Sequence, residues 1–207
     1  MPLPIFRTDR LLLRPWNPTQ DAAAGLTIYG DPQVMAWVAP GRVDRDLEAV
    51  EWRLRRYAKV GEQGKPQGCW AVMDLYRGRT IGNLLLLPLG TGQRSVPGLT
   101  QPQPARLEIG WHFCPQYWGR GYATEAAQQI LDYGLSFSWI SALYAVVIPG
   151  NDRSYRLAHR LGMINLGQTR RYYGGQSLEV FKKLRDRPQV SQQPWAGLRV
   201  DRDRPSL

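Results

Sequence analysis

The segment Trp118-Gly119-Arg120-Gly121-Tyr122-Ala123-Thr124-Glu125-Ala126 constrains this chain more than any other, because it joins two opposite periodicities. Before it, Leu107, Ile109, Trp111 and Phe113 alternate with Glu108, Gly110 and His112, the period of a strand. After it, Ala123, Ala127, Ile130, Gly134 and Phe137 recur at helical spacing. A chain that changes from strand to helix through two glycines turns sharply and lets its backbone approach a ligand. The first N–H groups of such a helix have no intrahelical partner, and with the helix dipole they form an anion site that suits a pyrophosphate. Arg120 adds a charge for a direct contact. On the glycines alone, an ordinary strand-to-helix turn explains the segment equally well.

The rest of the chain reads as alternating short strands and helices. Arg10 to Arg14 is a first strand, ended by Pro15-Trp16-Asn17-Pro18. Thr19 or Asp21 caps a short helix through Tyr29, and Gly30-Asp31-Pro32 is a turn. Asp44 to Val60 places Leu47, Val50, Leu54 and Tyr57 on one helical face, with Gly61 and Gly64 as stops. Gly68 to Leu75 and Thr80 to Leu87 are paired strands around Arg77-Gly78-Arg79. Gly90 to Pro104 is expected as a flexible loop. Leu143 to Ile148 is a buried strand, Asn151 to Leu161 a helix stopped by Gly162, and Met163 to Gln168 and Leu178 to Leu184 two final strands around Tyr172-Tyr173-Gly174-Gly175.

With 207 residues, 43% of them hydrophobic, the chain has material for one full core. One α/β domain is expected over residues 1–184. Residues 185–207 carry few large apolar side chains and three prolines, the composition of a disordered tail in which Trp195 alone has something to dock. Two cysteines are too few for a disulfide framework, and no run of 18 apolar residues or apolar leader is present. A cytoplasmic location, with no membrane partner, is the expectation. The formal charge of +10 favours anionic partners: nucleic acid, a ribosome, a phosphorylated co-substrate or an acidic acceptor.

Several strings together resemble the GNAT acetyltransferase superfamily, in its RimJ/RimL-type branch of ribosomal-protein N-terminal acetyltransferases. They are Thr8-Asp9-Arg10-Leu11-Leu12-Leu13-Arg14-Pro15, Ile81-Gly82, Glu108-Ile109-Gly110-Trp111, Tyr117 to Ala126, Asn151-Asp152-Arg153-Ser154, and Arg160-Leu161-Gly162-Met163. The resemblance spans about residues 5–184. It implies a mixed, mostly antiparallel sheet of six or seven strands, helices on both faces and a splayed central strand pair. Acetyl-CoA would enter between the strands ending at Phe113 and running from Leu143 to Ile148, as a co-substrate with no metal. The family's phosphate motif fits in two registers, Gln116-x-x-Gly119-x-Gly121 and Trp118-x-x-Gly121-x-Ala123. The second is preferred, since Ala123 opens the apolar helix face.

The resemblance then implies that backbone amides of Gly119, Arg120, Gly121, Tyr122, Ala123 and Thr124, beside Trp118, hold the pyrophosphate. It also implies that the strand edge at Trp111 and Phe113 bonds the pantetheine arm, and that Asn151 and Ser154 lie along that arm, Ser154 near the sulfur. Glu108 is the candidate general base, a carboxylate inside an apolar strand beside Gly110, whose missing side chain leaves room. A solvated strand residue is its other reading. His112 shares the face and is the lesser candidate. Many relatives carry a tyrosine acid seven residues after the asparagine. Here that position is Ala158, which leaves Ser154 or solvent to protonate the thiolate. Trp37, Tyr29, Tyr172 and Tyr173 lie where the family builds its acceptor groove. Trp16, Trp37, Trp52, Trp70 and Trp139 read as packing before any acceptor role, His159 as solvated, and Cys114 as a thiol with no base placed for it.

The expected reaction is direct acetyl transfer to a primary amine, with an N-terminal α-amine of a protein as one acceptor. A small amine, amino sugar, polyamine or antibiotic is the alternative, as is a non-catalytic coenzyme A- or RNA-binding module on the same fold. A monomer or homodimer is expected.

Overall fold

The computed structural model describes residues 2–62, 66–90 and 106–185. The expected loop, apart from Gly90, and the expected tail, apart from Arg185, lie outside the described residues.

Among the described residues, eight strands form one sheet: β1 (Phe6–Arg7), β2 (Leu11–Pro15), β3 (Gly68–Asp74), β4 (Arg79–Pro88), β5 (Leu107–Phe113), β6 (Ala142–Val147), β7 (Ile164–Thr169) and β8 (Leu178–Leu184). Their spatial order is β1-β2-β3-β4-β5-β6-β8-β7, and every pairing is antiparallel except β5 with β6. Seven of the strands lie where the alternation predicts them. The eighth is β1, two residues long, too short to show a period. The described residues also form five α-helices: α1 (Ala22–Tyr29), α2 (Pro32–Val38), α3 (Leu47–Glu62), α4 (Tyr122–Leu135) and α5 (Asp152–Arg160).

Helix α2 departs from the expected turn at residues 30–32. Asp31 is its N-cap, accepting from the N–H groups of Gln33 (2.7 Å) and Val34 (3.4 Å), and Pro32 occupies the first helical turn where its missing donor costs nothing. Asp21 precedes α1, but its buried carboxylate accepts instead from Arg14 Nη1 and Nη2 (2.7 Å each) and from the N–H of Asn17 (2.8 Å). On α3, Val50 and Leu54 are fully buried, whereas Leu47, expected on the same face, is exposed in the first turn. Trp16 and Trp70 pack in the core as expected; Trp37, Trp52 and Trp139 are exposed. Among the described residues no helix is long and apolar enough to cross a membrane.

The sheet has two covered faces. Gly134 of α4 lies against Leu86 and Leu143, so α4 packs over the face that also holds Leu107 and Ile109. Tyr29 of α1 meets His112 on the other face, which carries Glu108 as well. Pairing between β5 and β6 is confined to Leu107↔Leu143 and Glu108↔Tyr144. Beyond those residues the strands separate, and the sheet opens into a V.

Candidate active site

The V widens into a cleft of about 1180 Å³. Its walls include Glu108, Trp111, Phe113, Trp118, Gly119, Gly121, Ala123, Thr124, Asn151 and Ser154, residues that the sequence separates by up to 46 positions. Arg120 and Tyr122 are placed differently. Arg120 is exposed, and its carbonyl accepts from Arg10 Nη1 (3.1 Å). Tyr122 is buried, and its hydroxyl donates to Asp74 Oδ2 (3.2 Å). Neither residue lines the cleft. The cationic side chains on that wall come instead from α5: Arg153, Arg156 and Arg160, which spacing within one helix turns toward the start of α4.

Gly119 (φ +74°) and Gly121 (φ +80°) both take the left-handed conformation that side chains resist, and Gly121 is the N-cap of α4. Glu125 N–H bonds the Gly121 carbonyl (3.0 Å). Among the described residues, the N–H groups from Gly119 to Thr124 meet no protein acceptor, which leaves a run of donors at the positive end of a 14-residue helix. Around them, Arg153 stacks over Trp118 (4.6 Å to the ring centre), and Arg160 Nε donates to Thr124 Oγ1 (3.3 Å). No atom lies within 4 Å of where a Cβ on Gly119 would stand. Donors, glycines and arginines together fit a pyrophosphate.

Glu125, which the sequence reading left without a role, fixes the start of α4. Its carboxylate accepts from Thr8 Oγ1 (2.5 Å), Arg10 N–H (3.0 Å) and Arg10 Nε (2.7 Å). Burial pushes this carboxyl up, but those three donors outweigh it and hold it below the usual carboxylate range. The Arg10 guanidinium also lies over the Tyr122 ring (4.5 Å). The Thr8-Asp9-Arg10 string is therefore the other half of a clasp on the glycine turn.

Along the open edge of β5 the antiparallel register decides which backbone groups are free. Arg106 accepts from Leu89 N–H (2.6 Å) and Cys114 N–H donates to Ile81 (3.0 Å), so even-numbered residues turn their N–H and C=O toward β4. Odd-numbered Trp111 and Phe113 turn theirs toward the splay, beyond the last β6 pair. Trp118 Nε1 takes the Phe113 carbonyl (2.7 Å), and the remaining groups of Trp111 are available to an extended ligand. The Trp111 indole donates to Ser154 Oγ (3.2 Å), and Asn151 Oδ1 caps α5 by accepting Ser154 N–H (3.2 Å). Strand edge, hydroxyl and cap thus share one wall.

Glu108 is 7% exposed. Tyr173 Oη donates to its Oε1, while Oε2 is buried with no hydrogen-bond partner among the described residues. Burial pushes the carboxyl up and the Tyr173 hydrogen bond draws it back, leaving it at about 7. Gly110 does not leave open space beside it: a Cβ there would stand 2.9 Å from Leu85 Cδ1, so Leu85 already occupies that room. His112 takes a different part. Its Nδ1 contacts Tyr29 Oη (3.3 Å) and Asn83 Nδ2 (3.4 Å), and Asn83 in turn accepts from Trp16 Nε1 (2.8 Å). Burial, aided by Arg53, presses its pKa down to about 3, so the ring is neutral. Buried Cys114 faces Thr27 Oγ1 (3.2 Å), and burial raises its thiol. The far half of the cleft is walled by Val34, Trp37 and Val38 of α2, Arg53, Arg56, Tyr57 and Val60 of α3, and Tyr173; Tyr29 and Tyr172 stand outside it.

Residues 10–164 match the family model of the acetyltransferase (GNAT) domain. The chain belongs to the GNAT acetyltransferase family. Its chemistry is acetyl transfer, with acetyl-CoA as co-substrate. The chain is similar to YkkB of Bacillus subtilis (strain 168), 31% identical over 157 residues that span 75% of this chain and 83% of that one. Its fold matches RimL, the ribosomal L7/L12 alpha-N-protein acetyltransferase solved with coenzyme A (TM-score 0.69, 14% identity, 87% of this chain and 98% of that one). It also matches the ribosomal-protein-S5-alanine acetyltransferase of Vibrio fischeri (TM-score 0.66, 17% identity, 88% and 97%). Both likenesses are likenesses of fold.

Proposed function

We propose that this acetyltransferase moves the acetyl group to a primary amine by direct transfer, with Glu108 as the general base. The observation that carries the reading is the buried carboxylate on the cleft wall with one oxygen unpartnered and a pKa of about 7, poised to accept a proton at neutral pH. Acetyl-CoA supplies the thioester. The N–H run from Gly119 to Thr124 and the α5 arginines hold its pyrophosphate, Arg120 and Tyr122 through backbone only. Trp111 and Phe113 bond the pantetheine arm along β5 beside Asn151. Ser154 Oγ, which accepts from the Trp111 indole, keeps its own hydrogen to offer a leaving thiolate. Both described cysteines are buried thiols with raised pKa, so neither is an activated nucleophile for an acyl-enzyme.

For the acceptor, a protein N-terminal α-amine is the reading favoured here. The far half of the cleft sets Arg56 against an incoming charge, Arg53 beside it being paired with Asp44 (2.6 Å). That opposes polyamines and aminoglycosides by like charge and leaves neutral or acidic carriers. Likeness of fold to two ribosomal-protein acetyltransferases supports the same choice.

Thiol release from acetyl-CoA against short peptides, polyamines and amino sugars tests this, with Glu108→Gln run on the same panel. Turnover on peptides is expected, falling about 10²- to 10⁴-fold in the variant, while calorimetry finds acetyl-CoA binding unchanged. Undiminished turnover in Glu108→Gln removes Glu108 as the base. Turnover on polyamines alone replaces the peptide reading with a small-amine one. Binding without any turnover makes the chain a coenzyme-binding module.

A further inference from the structure

The turn between β7 and β8 holds a residue whose backbone works against it. Tyr173 has φ +51°, the one non-glycine with positive φ among the described residues. Gly174 (+72°) and Gly175 (+87°) follow in the same left-handed region, so three consecutive residues share it. Glycine takes this conformation without steric conflict, whereas a side chain bearing a Cβ meets the neighbouring carbonyl. Strain of this kind persists where the surroundings hold it in place. Here the holding contact lies 65 positions away: the Tyr173 hydroxyl donates to Glu108 Oε1 on β5, and its ring forms part of the cleft wall. The backbone of Gly90, two residues past the end of β4, lies against the same hydroxyl.

We infer that Tyr173 is a positioning residue, held strained so that its hydroxyl grips Glu108 by Oε1 and leaves Oε2 as the oxygen that meets the amine. The inference rests on Glu108 being the base. A carboxylate oxygen with a fixed O–H donor keeps one rotamer, and the unpartnered oxygen then has one orientation toward an approaching ammonium. The donor also favours the ionised carboxylate over the acid, opposing the burial that favours the acid. Neighbouring charges do not duplicate it. Arg106 at the start of β5 and Lys182 on β8 both lie over the Tyr144 ring of β6 (5.5 and 5.9 Å). His112 on β5 is neutral, and Arg53 on α3 is paired with Asp44 (2.6 Å). Tyr172, next in the turn, accepts from Arg106 Nη1 (3.3 Å). Among the described residues, Tyr173 is the one side chain hydrogen-bonded to Glu108.

Tyr173→Phe keeps the ring and removes the grip. In the full chain labelled with 13C-glutamate, the Glu108 carboxyl is assigned by its loss in Glu108→Gln and titrated by NMR. The pH profile of kcat/KM is measured alongside on the best peptide. In Tyr173→Phe the carboxyl titration and the acidic limb are expected to move up together by about half to one pH unit. Turnover at pH 6.5 then falls at least about threefold from the shift, and the alkaline plateau falls as well, because the ionised carboxylate has lost the grip that orients it. A carboxyl that titrates where the parent's does overturns the inference and leaves Tyr173 as a wall residue. A shifted carboxyl with an unmoved limb separates the two readings: Tyr173 grips Glu108, but Glu108 is not the base.

Discussion

Glu108 and His112 stand four positions apart on one face of β5 and are driven in opposite directions by the same cause. Burial disfavours charge, so the carboxyl rises to about 7 and the imidazole falls to about 3. The first value suits a base at neutral pH; the second leaves a ring that packs and bonds but carries no proton to exchange. The raised carboxyl has a consequence for stability. Its folded pKa exceeds the ordinary value of 4.5 that it regains on unfolding, so its favourable contribution is complete below 4.5 and is lost as pH rises through 7. Glu108→Gln should therefore gain on the parent chain with pH, from under about 0.5 kcal/mol near pH 4.5 to about 3 kcal/mol at pH 9. Urea unfolding at both pH values measures it, and an equal difference at the two would show that Glu108 is not held against its charge. Nothing in the letters near Glu108 announces Tyr173, because their contact spans 65 positions.

At the scale of elements, the strand–turn–helix unit was readable because its two periodicities change abruptly at Gly119 and Gly121. Helix α2 was not read, since seven residues are too few to show an amphipathic period, although Asp31-Pro32 is a sound cap and first turn. The clasp of Thr8, Arg10 and Glu125 was missed for a different reason: its halves come from separate elements, and nothing in either predicts the other. The turn itself makes a firm prediction. Gly121 needs φ +80°, and a Cβ there would stand 3.3 Å from Arg10 Nη2. Gly121→Ala costs about 1–2 kcal/mol of loop geometry, read as about five- to thirtyfold weaker acetyl-CoA binding by calorimetry. Unchanged affinity would remove this turn from the phosphate site.

At the scale of the molecule, a formal charge of +10 would serve nucleic acid or coenzyme phosphates alike. The fold gathers part of it, bringing Arg153, Arg156 and Arg160 to the cleft wall beside the donor run. Attraction of this kind is screened by salt. The KM for acetyl-CoA is expected to rise about three- to tenfold between 50 and 500 mM salt, at nearly constant kcat. Arg153→Ala/Arg156→Ala should flatten that dependence, whereas a slope unchanged in the double variant would place the attraction elsewhere on the surface.

The sequence by itself determined the family, seven of the eight strands, four of the five helices and the place of the glycine turn. Each of these is written in neighbouring residues, as a period, a cap or a φ that only glycine takes easily. The tertiary structure decided which residues act together. It turned Arg120 and Tyr122 away from the cleft and brought the α5 arginines to it. It filled the room at Gly110 with Leu85 and set Tyr173 on Glu108. Those outcomes depend on where β5 and β6 part and on which helices cover each face. Such long-range packing sets burial and partners, and therefore pKa, without leaving a local pattern to read.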